Sequence, residues 1–427
     1  MFLEVAAISG CGYAINKLWH YEERKIKNTL RQIVEKAGLF NKQEQSLRVH
    51  SVKFKEYGYD LTAGIPYGIS FDKIQDMESI FLTNLGATQI IFQRDKYNSM
   101  LTMAVITKPL RDLKFEPISA NDHSIYIGYD HKDHIIVDLN RFPHMLTSGA
   151  TGTGKSRLTL VILANLINQH KNIDIFMTQI RKSDLKVFED CRQVKYFADS
   201  LQKTCDVLEY LNALCMKRDE AIGKYIKQGI YNIEDWNKKF TNRKMKYTYA
   251  FMDEFAFFMP SKADSKEEKI LKNKCLTYIK NIVLTGRSTG VFLFTGLQRP
   301  TKESIPTDIK AQLNIRLSFK QLDSSSSIAV LGNGNAVDLD VREALLQTNE
   351  ETHIKVPFID DSILKTYIKD SIEENHKFIN LKPRLVTPHS IKIDSSKEVN
   401  PGTIEKENKD IAAGIIDLRM VRKNANC

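Results

Sequence analysis

No C-x-x-C pair occurs in this 427-residue sequence. Its six cysteines, Cys11, Cys191, Cys205, Cys215, Cys275 and Cys427, are scattered. The spacing excludes a redox dithiol or a zinc site built from neighbouring cysteines. It fits free thiols in a reducing cytoplasm. Also missing is any apolar run of the roughly 20 residues a spanning helix needs. The stretch Phe2 to Ile15 is apolar but short, and Glu4 interrupts it. Lys17, Arg24, Lys25 and Lys27 follow that stretch instead of preceding it, which excludes a signal peptide. It reads as an amphipathic helix that packs on the body of the protein, docks a partner or rests on the inner face of a membrane. There is no internal repeat and no low-complexity tract. Acidic residues are in deficit, 52 against 62 Lys and Arg, so the net charge is +10 and the pI near 9.0. That imbalance points to a polyanionic partner, nucleic acid or an acidic membrane surface. An apolar share of 42% with 27% charged residues describes a globular chain and excludes general disorder.

Along the chain, residues 1–45 look helical, with Glu, Lys and Arg interleaved from Tyr21 to Lys36. From Leu47 the apolar period changes to that of a strand. Arg48 to Phe54 and Tyr57 to Thr62 form the first pair, and Pro66-Tyr67-Gly68 turns. Ser70 then caps a helix whose apolar face is Phe71, Ile74, Met77, Phe81 and Leu85. Gln89 to Gln93 and Leu101 to Ile106 close a hairpin around Lys96-Tyr97-Asn98. This predicts a small ββαββ domain over 46–115. From 120 to 358, short apolar runs alternate with longer helical patterns: Ile173 to Thr178, Tyr247 to Met252, Val291 to Thr295 and Ile315 to Phe319. The alternation predicts an α/β domain with a mostly parallel sheet. Residues 359–427 are expected to be a polar tail, with a short helix over Ile411 to Val421.

The strongest local pattern is Gly149-Ala150-Thr151-Gly152-Thr153-Gly154-Lys155-Ser156, followed by Arg157. It fits the phosphate-binding loop G-x-x-x-x-G-K-[ST]. Its glycines let backbone N–H groups curl around phosphates, and the following helix adds a positive end. Lys155 is expected to bridge the β- and γ-phosphates of ATP, and Ser156 to ligand Mg²⁺. Tyr247 to Met252 is an apolar strand that ends in Asp253-Glu254. Asp253 would hold the Mg²⁺ through water, and Glu254 would act as general base on the attacking water. Val291 to Thr295 leads into Gly296-Leu297-Gln298, where Gln298 is placed to sense the γ-phosphate. Arg287 and Arg316 are the candidates for an arginine acting in trans on a neighbouring subunit.

Taken in order, these residues resemble the FtsK/SpoIIIE DNA translocases. Asp138-Leu139, Pro143-His144-Met145-Leu146 and Gly149 to Ser156 look like the segment that opens that family's motor. Met216-Lys217-Arg218 and Asn232 to Asn237 are similar to its arginine-bearing helix and the segment after it. Arg287 to Val291, Asp253-Glu254 and Gln298-Arg299-Pro300 match further signatures, with Gly296-Leu297 altered. The resemblance implies a RecA-like core, a ββαββ α domain, and a homo-hexameric ring around double-stranded DNA with ATP sites between subunits. Three departures shape the expectation. There is no multi-span membrane domain or long linker, and no room for a winged-helix domain. Asp323 to Ser327 stands where the family has an arginine. The expectation is therefore a short motor of a plasmid, integrative element or phage, working with a membrane-bound transfer channel or relaxosome. The alternatives are a conjugative coupling or secretion ATPase that moves a nucleoprotein or protein, and a nucleotide-dependent binder with weak hydrolysis.

Overall fold

A computed structural model describes residues 20–95, 99–180, 184–301 and 303–381. The apolar stretch Phe2 to Ile15, the turn Lys96-Tyr97-Asn98, the tail beyond residue 381 and the helix expected over Ile411 to Val421 lie outside the described residues. The chain divides into two compact units, residues 1–111 and 112–427.

In the first unit, helix α1 covers residues 20–36. Strands β1 (Arg48–Lys55) and β2 (Gly58–Gly64) follow, then helices α2 (Phe71–Gln75) and α3 (Glu78–Leu85), then β3 (Gln89–Arg94) and β4 (Met100–Ile106). The strands form an antiparallel sheet in the order β1-β2-β4-β3. Period-2 alternation turns Val52, Leu61, Leu101, Met103 and Val105 to one face, where they meet Ile74 and Phe81. Leu30, Ile33 and Val34 of α1 complete the same core. The expected boundary at residue 45 is therefore corrected, because the apolar stripe of α1 is buried with this sheet. Ser70 caps α2 by accepting from the Lys73 N–H, as its position before Phe71 suggested.

The second unit is built on ten strands. They are β5 (Ser124–Tyr129), β6 (His134–Asp138), β7 (Met145–Ser148), β8 (Ile173–Thr178), β9 (Val194–Ala198), β10 (Tyr247–Met252), β11 (Val291–Leu297), β12 (Ile315–Phe319), β13 (Glu343–Gln347) and β14 (Glu351–Lys355). Their order is β6-β5-β14-β13-β12-β7-β11-β10-β8-β9. The run β12-β7-β11-β10-β8-β9 is parallel, and the other four strands add antiparallel pairs. This is the expected α/β fold with a mostly parallel sheet.

Helices α4 (Lys155–Gln169), α5 (Leu201–Gly223), α6 (Ile233–Lys239), α7 (Lys266–Thr289), α8 (Thr307–Lys310), α9 (Ser324–Leu331) and α10 (Asp361–Ile368) complete the unit. Every residue of β8, β10 and β11 is buried, which requires helices over both faces of the sheet. On one face Tyr249, Phe251 and Phe292 join Leu158 and Val161 of α4 and Leu364 and Ile368 of α10. On the other, Ala250, Met252 and Leu293 join Leu208 and Leu211 of α5 and Ile279 and Ile282 of α7. The second unit thus continues past residue 358, where the polar tail was expected to begin. Asp360 caps α10 through the Ile363 N–H, and Leu364 and Ile368, one turn apart, reach the core.

Candidate active site

Strand β7 lies between β12 and β11, and the chain leaves its carboxyl end at Ser148 through the glycine-rich loop into α4. Gly154 has φ +128°, and a Cβ there would come within 2.9 Å of the Phe319 ring and 3.0 Å of the Arg342 Cα. Only glycine fits such a position. Three backbone bonds fix the loop from outside. The Gly149 N–H donates to the Leu297 carbonyl at 3.3 Å, the Ala150 N–H to Lys320 at 3.1 Å, and the Arg342 N–H to the Thr153 carbonyl at 2.8 Å. The first amides of α4 have no acceptor within a helix, and the helix dipole is positive at that end. A cradle of this kind suits an anion.

Strand β10 runs parallel to β11 and β8 and ends beside this loop, bringing Asp253 and Glu254 with it. Lys155 Nζ lies 3.6 Å from Glu254 Oε2, and both side chains are almost wholly buried. The Gln298 N–H donates to Glu254 Oε1 at 3.4 Å. Burial pushes the Glu254 pKa up, against the pull of Lys155 and of the Gln298 N–H. Gly296 makes this proximity possible: a Cβ there would meet the Asp253 carbonyl oxygen at 2.5 Å and the Lys155 Nζ at 3.5 Å. Lys155, Ser156 and Asp253 line one recess, together with Gln179 and Asp184. No group of three or more His, Cys, Asp and Glu among the described residues could hold a metal ion alone. Ser156 and Asp253 suit a hard cation that completes its shell with phosphate oxygens and water.

A second cleft of about 450 Å³ opens on the other side of the loop. Gly149, Ala150, Thr151, Gly152, Gly154, Lys155, Ser156, Arg157 and Gln298 line it, with Val341, Arg342 and Phe358 opposite. The structure therefore gathers the loop, Asp253, Glu254 and Gln298 at one edge of the sheet. It does not bring Arg287 or Arg316 there. Arg316 pairs beside Leu146, toward the amino end of β7, and donates to the Leu313 and Lys310 carbonyls. Arg287, exposed in the last turn of α7, donates to the Asn140 carbonyl at 2.7 Å. Asp323, in the stretch that departs from the resembled pattern, caps α9 through the Ser326 N–H at 2.8 Å.

Reading the sequence missed Arg342, Phe358, Gln179 and Asp184. Gln179 follows the apolar strand β8 as Gln298 follows β11, so its position was the one signal available. Arg342 and Phe358 belong to no such pattern and reach the loop through the order of strands in the sheet.

The FtsK/SpoIIIE family model matches residues 116–286. The Ftsk domain-containing protein YdcQ of Bacillus subtilis is 28% identical over 225 residues, which cover 50% of this chain and 42% of that protein. The DNA translocase FtsK of Borreliella burgdorferi is 28% identical over 217 residues, 48% of this chain and 26% of that one. The matched region is thus less than half the length of these two curated relatives. Among solved structures, the pCW3 conjugation coupling protein TcpA, in a monomer form with ATPγS, superposes with a TM-score of 0.58 at 21% identity. The match covers 81% of this chain and 99% of that one. At this identity the likeness is one of fold.

Proposed function

We propose, from the match of residues 116–286 to the FtsK/SpoIIIE family model, that the chain is an ATP-driven translocase of double-stranded DNA. The observation that carries this reading is the buried pair Lys155–Glu254 at 3.6 Å, set at the mouth of the phosphate-binding loop with Gln298 beside it. A protein that only binds nucleotide has no use for a carboxylate held there.

The loop amides and Lys155 hold the triphosphate, and Lys155 leaves Glu254 for the β- and γ-phosphates. Ser156 and Asp253 would hold Mg²⁺, which supplies positive charge against the phosphate oxygens. Glu254 takes a proton from water as the water oxygen attacks the γ-phosphorus and the bond to the β-phosphate oxygen breaks, leaving ADP. Its raised pKa makes it a better proton acceptor than an exposed glutamate. The Gln298 N–H keeps the carboxylate oriented, and its side chain faces the γ-phosphate. In a homo-hexameric ring, Arg287 or Arg316 would serve the site of the adjacent subunit, since each lies away from its own. Ring subunits grip the DNA backbone by charge, so sequence preference is slight. We assign the motor to DNA transfer or maintenance of a plasmid, integrative element or phage, at a membrane-bound transfer channel or relaxosome on the cytoplasmic face. Among the described residues no helix is long and apolar enough to cross a membrane, so such a site requires a partner or another segment as anchor.

The test is phosphate release from ATP with and without linear duplex DNA at two salt concentrations. Strong stimulation by duplex, weakened by salt and absent in Glu254→Gln, is the expected result. Turnover indifferent to DNA would remove the DNA motor and direct attention to a protein substrate.

A further inference from the structure

Beyond the phosphate end, the cleft beside the loop contains one aromatic side chain that the hydrolytic residues leave unused. Phe358 is 43% exposed, although Val356 and Ile359 on either side are wholly buried. Its backbone is held rigidly. The Phe358 N–H donates to the Leu113 carbonyl at 2.8 Å, and its carbonyl accepts from the Phe115 N–H at 2.8 Å. Arg157, in the first turn of α4, donates to the Ile359 carbonyl at 3.0 Å, which ties this segment to the helix that carries Lys155.

Arg342 supports the ring. Its guanidinium carbon lies 5.7 Å from the centre of the Phe358 ring, within reach of a cation–π contact. The guanidinium is committed elsewhere, donating to Asp112 Oδ1 at 2.6 Å and to the Val356 carbonyl at 3.2 Å. Its backbone, at φ +68°, also holds the Thr153 carbonyl of the loop. Arg342 and Arg157 together therefore hold the aromatic ring at a fixed place relative to the phosphate cradle.

We infer that Phe358, backed by Arg342, is the stacking platform for the base of the nucleotide whose phosphates the loop holds. We further infer that the site accepts ATP and GTP nearly alike. The inference rests on the nucleotide reading of the loop given above. An aromatic face binds any base by stacking, with little regard to its identity. Strong discrimination needs donors or acceptors that hydrogen-bond the base edge. The side chains lining the cleft opposite the loop are Val341, Arg342 and Phe358, and the Arg342 guanidinium is engaged with Asp112 and the Val356 carbonyl. Gln298 lies at the phosphate end, with its backbone on Glu254.

The experiment is equilibrium displacement of a ribose-labelled fluorescent ATP from the full chain by ATP, GTP and inorganic triphosphate. ATP and GTP are expected to bind within about threefold of each other. Phe358→Ala should weaken both by about tenfold and leave inorganic triphosphate unchanged, and Phe358→Tyr should restore both. GTP binding more than about thirtyfold weaker than ATP would overturn the indifference to the base. The platform is overturned if Phe358→Ala leaves ATP affinity unchanged, if it weakens triphosphate as much as ATP, or if Tyr does not restore binding. Lys155→Ala separates the two levels of the argument. If it loses nucleotide while Phe358→Ala does not, only the platform falls. If Lys155→Ala still binds normally, the nucleotide reading of the loop falls with it.

Discussion

The two ends of the parallel sheet both bury charge, and they do so to different effect. At the carboxyl end, Lys155 and Glu254 face each other at 3.6 Å beside two open recesses. At the amino end, Asp174 of β8 lies beside Thr248 of β10, with Lys246 Nζ at 3.5 Å and Lys195 Nζ at 3.8 Å from its carboxylate. Arg218 of α5, fully buried, donates to the Thr289 carbonyl at 2.8 Å and the Thr248 hydroxyl at 3.3 Å. His144, also buried, accepts from the Leu293 N–H at 3.0 Å. Burial raises the Asp174 pKa and lowers that of Arg218, while the neighbouring charges oppose both shifts. The amino-end groups tie α5, α7, β7, β10 and β11 together. The lesson is that a buried charge marks chemistry where it faces a cleft, and marks architecture where its partners are strands and helices.

The comparison breaks most sharply at the carboxyl end. Lys155→Ala is expected to abolish nucleotide binding, read by displacement of the fluorescent nucleotide. Glu254→Gln should bind ATP normally yet lose on the order of a hundredfold to ten-thousandfold in turnover. Normal hydrolysis by that variant would mean that Glu254 is not the base. Because burial raises the Glu254 pKa, the acid limb of turnover should lie above the ordinary carboxylate range.

The amino end should answer in stability. Arg218→Met leaves the Thr289 carbonyl without its donor and Asp174 without a third cation nearby. We expect a loss of about 3 kcal/mol, measured by urea unfolding, with turnover per folded molecule close to wild type. A large loss of turnover without loss of stability would erase the distinction between the two ends.

His144 sharpens the comparison through pH. Burial depresses its pKa to about 3, against roughly 6.5 in an unfolded chain. Below pH 6.5 the unfolded state binds the extra proton, so the stability contributed by neutral His144 is present above pH 6.5. It is lost progressively as pH falls toward 3, at up to about 1.4 kcal/mol per pH unit. Urea midpoints of wild type and His144→Gln between pH 7 and 5 should converge; parallel curves would show that His144 does not stay neutral. The smallest effect is expected at Ser265, whose hydroxyl caps α7 by accepting from the Glu268 N–H and whose own N–H donates to the Glu268 carboxylate. Ser265→Ala should cost about 1 kcal/mol and leave nucleotide binding intact.

The site was legible where its residues are neighbours in sequence. The loop Gly149 to Ser156, the pair Asp253-Glu254 and Gln298 each end a strand or start a helix, and a parallel sheet collects such positions at one edge. Arg342 and Phe358 were not legible. They meet the loop only because β13 and β14 continue the sheet on the far side of β12, and nothing local distinguishes them. The reach of α1 into the first unit and of α10 into the second was hidden for a similar reason. Which surface covers the apolar stripe of a helix is decided by packing, and no local pattern states it.

By itself the sequence determined that strands alternate with helices, that a phosphate-binding loop lies between one such strand and helix, and that two carboxylates follow another. Those features depend on spacing over a few residues, set by the backbone geometry of each element. The tertiary structure decided which charges face a cleft and which brace the sheet, and it placed Phe358 and Arg342 across from the loop. Such relations depend on strand order and register over hundreds of residues, where packing chooses among partners that local pattern leaves equivalent.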